Sequence, residues 1–406
     1  MKIKSIFLAS LALLLMTGCS KNDENPELQN GSGDLFLKIG NIGTPAGTRM
    51  TGPEVTNQET DKAIFRDGML YFLDNGNRVV ISYPILENYT DPSSPDQSEV
   101  TVGELKIGKR FTNVPATVTQ VYVAANLKDK NVTLPTEANT RLQDIQRNYA
   151  FNIGTQQDPS SVTMDGIAPV TTAPANTYNE QQPGDKHALV TIVPIISRIE
   201  LHSVKAEEAI TKFTIRGIYL SGFYLDLPLD MYHHNKTIGS AAKFESSDKI
   251  YNTYPTMCDV KDDTTPNIDG IDGLGTWNGG AALTPEQTGA PSDKSIVWAY
   301  QVFPGGGCTG CTPRFPSLVI RIDNISAKGY SYNGEKNAKT QYITIKGFLD
   351  EKGQRIKQLE RGKVYKIREV VFSEKTISDV PDPETINLWV KVEVANWEVI
   401  EVTPVI

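Results

Sequence analysis

The chain has 406 residues, a formal net charge of −8 and 39% hydrophobic residues. That length accommodates two ordinary domains, and the acidic balance argues against nucleic acid as a partner. After the N-terminal stretch, no run approaches the length of a membrane-spanning helix.

Residues 1–18 read as a lipoprotein signal peptide and are set apart from the fold. Lys2 and Lys4 give the positive region, and Ile6 to Met16 an apolar run too short to span a bilayer comfortably. The run ends in Met16-Thr17-Gly18-Cys19, a lipobox with Met where Leu is usual, so Cys19 is the expected lipidation site. Two or three acyl chains there would anchor a precursor stably, at about 0.8 kcal/mol per buried methylene.

Residues 19–49 read as a lipidated propeptide with a removable strand. Leu35, Leu37 and Ile39 alternate with Phe36 and Lys38, the period of a strand with one buried face. After Ile42 the pattern collapses into Gly43-Thr44-Pro45-Ala46-Gly47-Thr48, the kind of small-residue loop that proteases nick. Arg49 closes it, which predicts a trypsin-like cut between Arg49 and Met50. The rival Arg66 lies between runs that read as strand and makes a poorer substrate.

From Ala63 the text is strand, turn, strand, with turn signals at Asp67-Gly68 and Asp74-Asn75-Gly76. Val100–Ile107 and Val118–Asn126 read as further strands, and Arg141–Tyr149 as a helix, because Leu142, Ile145 and Tyr149 recur at helical spacing. The run 187–205 is strand-rich but interrupted by Pro194, so it should form two strands or an edge strand with a break. The boundary between an N-terminal domain (50–186) and a C-terminal domain (187–372) is placed at its start. Strands resume at 295–304, 317–322, 341–349 and 363–372. Short strands with turn signals between them predict an all-β chain of two tandem antiparallel β-sandwiches, with a short helix and long loops.

Residues 373–406 read as an extended spacer and a C-terminal donor strand. Leu388, Val390, Val392 and Val394 alternate with Trp389, Lys391 and Glu393. A patterned strand on a flexible spacer has no local partner and is an aggregation hazard unless something receives it.

Cys308 and Cys311 have CxxC spacing but lie in a Gly/Pro loop with no following helix, so a disulfide is expected rather than a redox or zinc site; Cys258 adds a further thiol. His233-His234 would point to opposite faces of a strand and has no spaced third ligand. No nucleophile elbow, Walker loop or zinc-protease helix occurs, so the reading is non-enzymatic, with no catalytic residue, no metal and no cofactor. Trp277, in a Gly-rich loop, is a candidate sugar-stacking platform for an alternative reading as a glycan-binding surface lipoprotein.

Taken together, the lipobox at Cys19, the short strand closed by Arg49, VYVAAN at 121–126, VTMDG at 162–166, IISRIEL at 195–201, ERGKVYKI at 360–367 and VKVEVANWEV at 390–399 resemble the Bacteroidales fimbrillin family, the FimA-like subunits of type V pili. Departures are Ser197 where Ala is commoner, the irregular lipobox and the loop of Cys308 and Cys311. The resemblance implies two transthyretin-like sandwiches and export as a lipidated precursor to the outer membrane. It further implies maturation by an arginine-specific protease and assembly into an extracellular fimbrium by strand exchange. The implied partners are other copies of the chain and accessory fimbrial subunits. Having both the Arg49 loop and the terminal strand favours a stalk subunit over a tip or anchor.

Overall fold

Runs rich in β-branched and aromatic residues, punctuated by Gly, Asn, Asp and Pro, form strands in most of the described chain. The computed structural model describes residues 32–43, 62–90, 98–130, 132–156, 158, 161–172, 186–201, 204–221, 223–224, 226–231, 238–239, 298–304, 315–327, 341–380 and 388–401. The first body runs β1 (Ser32–Ile39), β2 (Ile42–Gly43), β3 (Lys62–Phe65), β4 (Gly68–Leu73), β5 (Val79–Leu86), β6 (Val100–Thr101), α1 (Val102–Ile107), β7 (Lys109–Pro115), β8 (Gln120–Ala125), α2 (Leu142–Asn148), β9 (Ala150–Asn152), β10 (Met164–Pro169), β11 (Thr171–Thr172), β12 (Lys186–Val190) and β13 (Val193–Pro194). The second runs β14 (Ser197–Leu201), β15 (Val204–Ala206), β16 (Ile210–Ser221), β17 (Phe223–Tyr224), β18 (Asp226–Pro228), β19 (Ile238–Gly239), β20 (Trp298–Val302), β21 (Ser317–Ala327), β22 (Gln341–Leu349), β23 (Lys363–Ile367), β24 (Val370–Phe372), β25 (Ile377–Ser378), β26 (Leu388–Lys391), β27 (Glu393–Asn396) and β28 (Glu398–Glu401).

In the first body a four-stranded sheet, β11-β12-β1-β7, faces a six-stranded one, β13-β10-β8-β4-β5-β6. Leu35, Leu37, Leu70, Phe72, Val121 and Val123, on facing strands, are all fully buried. In the second body the main sheets are β20-β14-β23-β27 and β16-β21-β22-β25, with β26 also on β22. The fold is all-β, as the sequence predicts. It is not purely antiparallel, because β1 runs parallel to β12 and β14 parallel to β23.

Four sequence readings need correction. Val100–Ile107 is a strand for two residues only; Thr101 then caps α1, its Oγ1 accepting from Glu104 N while the Glu104 side chain accepts from Thr101 N. The 187–205 run forms four strands, β12 to β15, and Pro194 is not the break but the last residue of β13, opposite Met164. Pairing passes from the first body to the second between Pro194 and Ser197, since β12 pairs β1 and β13 pairs β10. The stretch after Phe372 is not a free spacer: Ser373 opens a hydrogen-bonded turn and Ile377-Ser378 pairs with β22.

The terminal run differs from expectation as well: it is neither one strand nor without a local partner. β26 lies beside β22, β27 beside β23 and β28 between β2 and β3. Each docking covers strand backbone that would otherwise be an open sheet edge.

Candidate functional site

β1 is an interior strand. It pairs antiparallel with β7 on one side and parallel with β12 on the other. Leu35, Leu37 and Ile39 are buried in the sandwich core. Phe36, on the opposite face, is also buried. Its ring covers Gly108, the C-cap of α1, where φ is +110° and a Cβ would come within 2.2 Å of Phe36 Cζ. Alternation predicts the first three; Phe36 is covered because α1 crosses that face. Arg110 Nη1 donates to Asp34 Oδ2 at 3.3 Å near the start of the strand. Four buried apolar side chains, at roughly 1.5–3 kcal/mol each, hold β1 with on the order of 6–12 kcal/mol before ordering costs.

Beyond Gly40, Asn41 fixes the bend between β1 and β2. Its Nδ2 donates to Ile192 O at 2.6 Å, and its Oδ1 accepts from Ile192 N at 3.1 Å. The strand motif ending at Asn126 has a similar role. Asn126 Nδ2 donates to Ile64 O and Val162 O, both at 2.7 Å, and its Oδ1 accepts from Arg66 N. Arg66 thus follows directly on paired strand, as its flanks predict.

The expected donor residues do not share one environment. Val390 and Val392 are buried, Leu388 is half-buried and Val394 is 42% exposed. The parity of burial changes after Val392, where the chain leaves one sheet for the other; Ala395 is half-buried and Trp397 fully buried instead. Trp389 lies over Gly347, where a Cβ would meet the ring at 2.2 Å, and under the Arg355 guanidinium at 4.3 Å.

The junction of the two bodies carries a polar cluster that sequence reading missed. Arg361 of the second body pairs with Asp165 of the first and donates to Val193 O at 2.6 Å. Tyr122 Oη donates to Asp165 Oδ2 at 3.0 Å. Burial, and then the neighbouring Asp165 carboxylate, push the Tyr122 phenol well above its ordinary pKa. These groups and Trp397 line a cleft of about 1210 Å³. Arg361 lies in ERGKVYKI and Asp165 in VTMDG, but nothing in either stretch says that the two meet.

Cys19, Arg49, Met50, Cys258, Cys308, Cys311, Trp277, His233 and His234 lie outside the described residues. Among the described residues, no group of three or more His, Cys, Asp or Glu could hold a metal ion, and no helix is long and apolar enough to cross a membrane.

No family model matches the chain, and no curated protein matches it. Solved structures do. One assigned to cell adhesion, from Parabacteroides distasonis, aligns over 91% of this chain and 98% of its own, at 12% identity and a TM-score of 0.51. The fimbrilin fimA of Porphyromonas gingivalis aligns over 91% and 99%, at 12% identity and a TM-score of 0.49. The tip fimbrial protein Mfa3 of the same organism, truncated at its C-terminus, aligns over 90% and 100%, at 11% identity and a TM-score of 0.34. At a TM-score of 0.51 and 12% identity, the likeness to the Parabacteroides distasonis structure is one of fold, along most of the chain.

Proposed function

We propose that this chain is a structural subunit of a surface fimbria that supports cell adhesion, made as a precursor lipidated on Cys19 and held at the outer membrane. An arginine-specific protease cuts between Arg49 and Met50. β1 then leaves, and the slot between β7 and β12 receives the C-terminal run of a neighbouring copy. Leu388, Val390, Val392 and Val394 supply the alternating apolar side chains that Leu35, Leu37 and Ile39 supplied before. Main-chain hydrogen bonds give affinity, and the alternate side chains give register. Accessory fimbrial subunits are the further partners.

One observation carries this reading. β1 is an interior strand with four buried side chains, yet it precedes the Pro- and Gly-containing sequence that ends in Arg49. A cut there leaves β1 held by noncovalent contacts alone. Its departure exposes two strand edges and an apolar trough, which is the surface an extended peptide completes.

N-terminal sequencing of subunits from isolated fibres tests the proposal. The expected sequence starts at Met50, and Arg49→Ala should leave an intact precursor without fibres. Fibre subunits starting at Asp67, or still carrying Leu35–Ile39, would overturn it.

A further inference from the structure

The slot of β1 and the chain's own C-terminal run meet at the β2-β28-β3 sheet. β28 is the middle strand there, parallel to both neighbours. Ile42 and Gly43 lie opposite Val399 and Ile400, while Lys62, Ala63, Ile64 and Phe65 lie opposite Glu398 to Glu401. Only Gly40 and Asn41 separate β2 from β1. Any backbone cut between Gly43 and Lys62 therefore assigns β1 and β2 to one piece and β28 and β3 to the other. When β1 leaves, β2 leaves with it.

What remains for β28 is a single parallel partner over four residue pairs. Parallel pairing is slightly the weaker kind per residue, and the loss of β2 leaves the backbone groups on one side of β28 as an open strand edge. The preceding anchor is also imperfect. Trp397 is buried and its backbone N–H donates to Gly362 O at 2.8 Å, but its indole Nε1 is buried with no hydrogen-bond partner among the described residues. A buried donor left unpaired makes docking less favourable than the buried area suggests. In an extended conformation that N–H would regain water.

We infer that β2 is a latch on the chain's own C-terminal run, so that the cut which opens the acceptor slot also releases the donor. The inference rests on the strand-exchange reading above and adds regulation to it. An uncut copy neither accepts a strand nor presents one, which keeps precursors from pairing before maturation.

Amide hydrogen exchange on the purified full-length chain tests this, before and after cutting with an arginine-specific protease. Uncut chains carrying Ile42→Pro or Gly43→Pro form a second arm. Proline is tolerated at an outer strand but cannot donate to the ladder. Because alternate residues of a strand point their N–H groups to opposite sides, one of the two variants removes a donor to β28. In the uncut wild type, amides 398–401 should be protected. The cut chain, and one of the proline variants, should show exchange there at least about tenfold faster, a change of about 1.4 kcal/mol in opening. In the proline variants β1 amides 35–39 should stay protected, which certifies the fold. Should neither proline chain fold, the cut and uncut wild type are compared with β4 and β8 amides as the internal reference. Unchanged exchange at 398–401 overturns the latch. If β1 is lost and fibres grow while 398–401 stay protected in unassembled subunits, the latch fails and strand exchange stands. If β1 never leaves and no fibre forms, strand exchange fails, and the proline arm still decides whether β2 holds β28.

Discussion

Leu37→Ala should loosen β1 without disturbing the slot it fills. Leu37 is fully buried and lies opposite Ala188 on β12 and Lys109 on β7. Truncating such a leucine costs about 2–5 kcal/mol, set by how far the site collapses. At about 1.4 kcal/mol per factor of ten, β1 in a cut chain should bind its slot roughly 30-fold to a few thousand-fold more weakly. The assay cuts the purified chain and follows release of the N-terminal fragment by size exclusion, with fibre growth measured alongside. Release and growth should both speed up, and the uncut chain should lose denaturation midpoint. Lys38→Ala, on the same strand with its side chain only half-buried, should stay within about 0.5 kcal/mol of wild type. Equal release from Leu37→Ala and wild type would refute the assignment of β1 as the removable filler.

Gly108→Ala should destabilise the uncut chain by about 2–4 kcal/mol, from a φ of +110° and a Cβ driven into Phe36. Adding Phe36→Ala should cost less than the sum in a double-mutant cycle, and strict additivity would show that the two do not touch. Arg361→Gln should cost about 1–3 kcal/mol by leaving the buried Asp165 carboxylate to Tyr122 alone, and X-ray scattering should report a more open junction; unchanged scattering and stability would show that Arg361 does not hold the two bodies together. Burial raises the Tyr122 phenol above its ordinary range and that of Tyr365 to about 12. Above pH 10 the unfolded chain therefore holds fewer phenol protons than the native one, so stability is full below pH 10 and falls through the window from 10 to 12 by up to about 1.4 kcal/mol per pH unit for each such tyrosine. A flat denaturation midpoint from pH 9 to 11.5 would contradict those environments.

Strand identity was largely legible in the sequence, because period-2 patterning is local. QYITIKGFL forms β22 over Gln341–Leu349, and the helix expected at 141–149 is α2 at Leu142–Asn148. α1 reads as strand because a six-residue helix gives too little periodicity to separate the two. Its signal was the Thr101-x-x-Glu104 capping pair, with Val102 and Leu105 three apart. Partners were less legible than elements. Nothing in Leu388–Asn396 names β22 and β23 as neighbours, since pairing depends on which edges the rest of the fold leaves open. The Arg361–Asp165 contact joins residues 196 positions apart, and neither carries a local mark of the other. For β1, too, alternation made the strand legible, while its neighbours β7 and β12 were not.

Strand exchange makes one direct claim, about what fills the space between β7 and β12 in an assembled fibre. A cryo-electron microscopy map of fibres from cells, at a resolution that reads side chains, answers it directly. Density between those strands should follow the C-terminal run of a neighbouring copy, with Val390 and Val392 directed into the trough and no residue before Met50 visible. A fibre whose subunits still hold Leu35–Ile39 between β7 and β12 would contradict the claim.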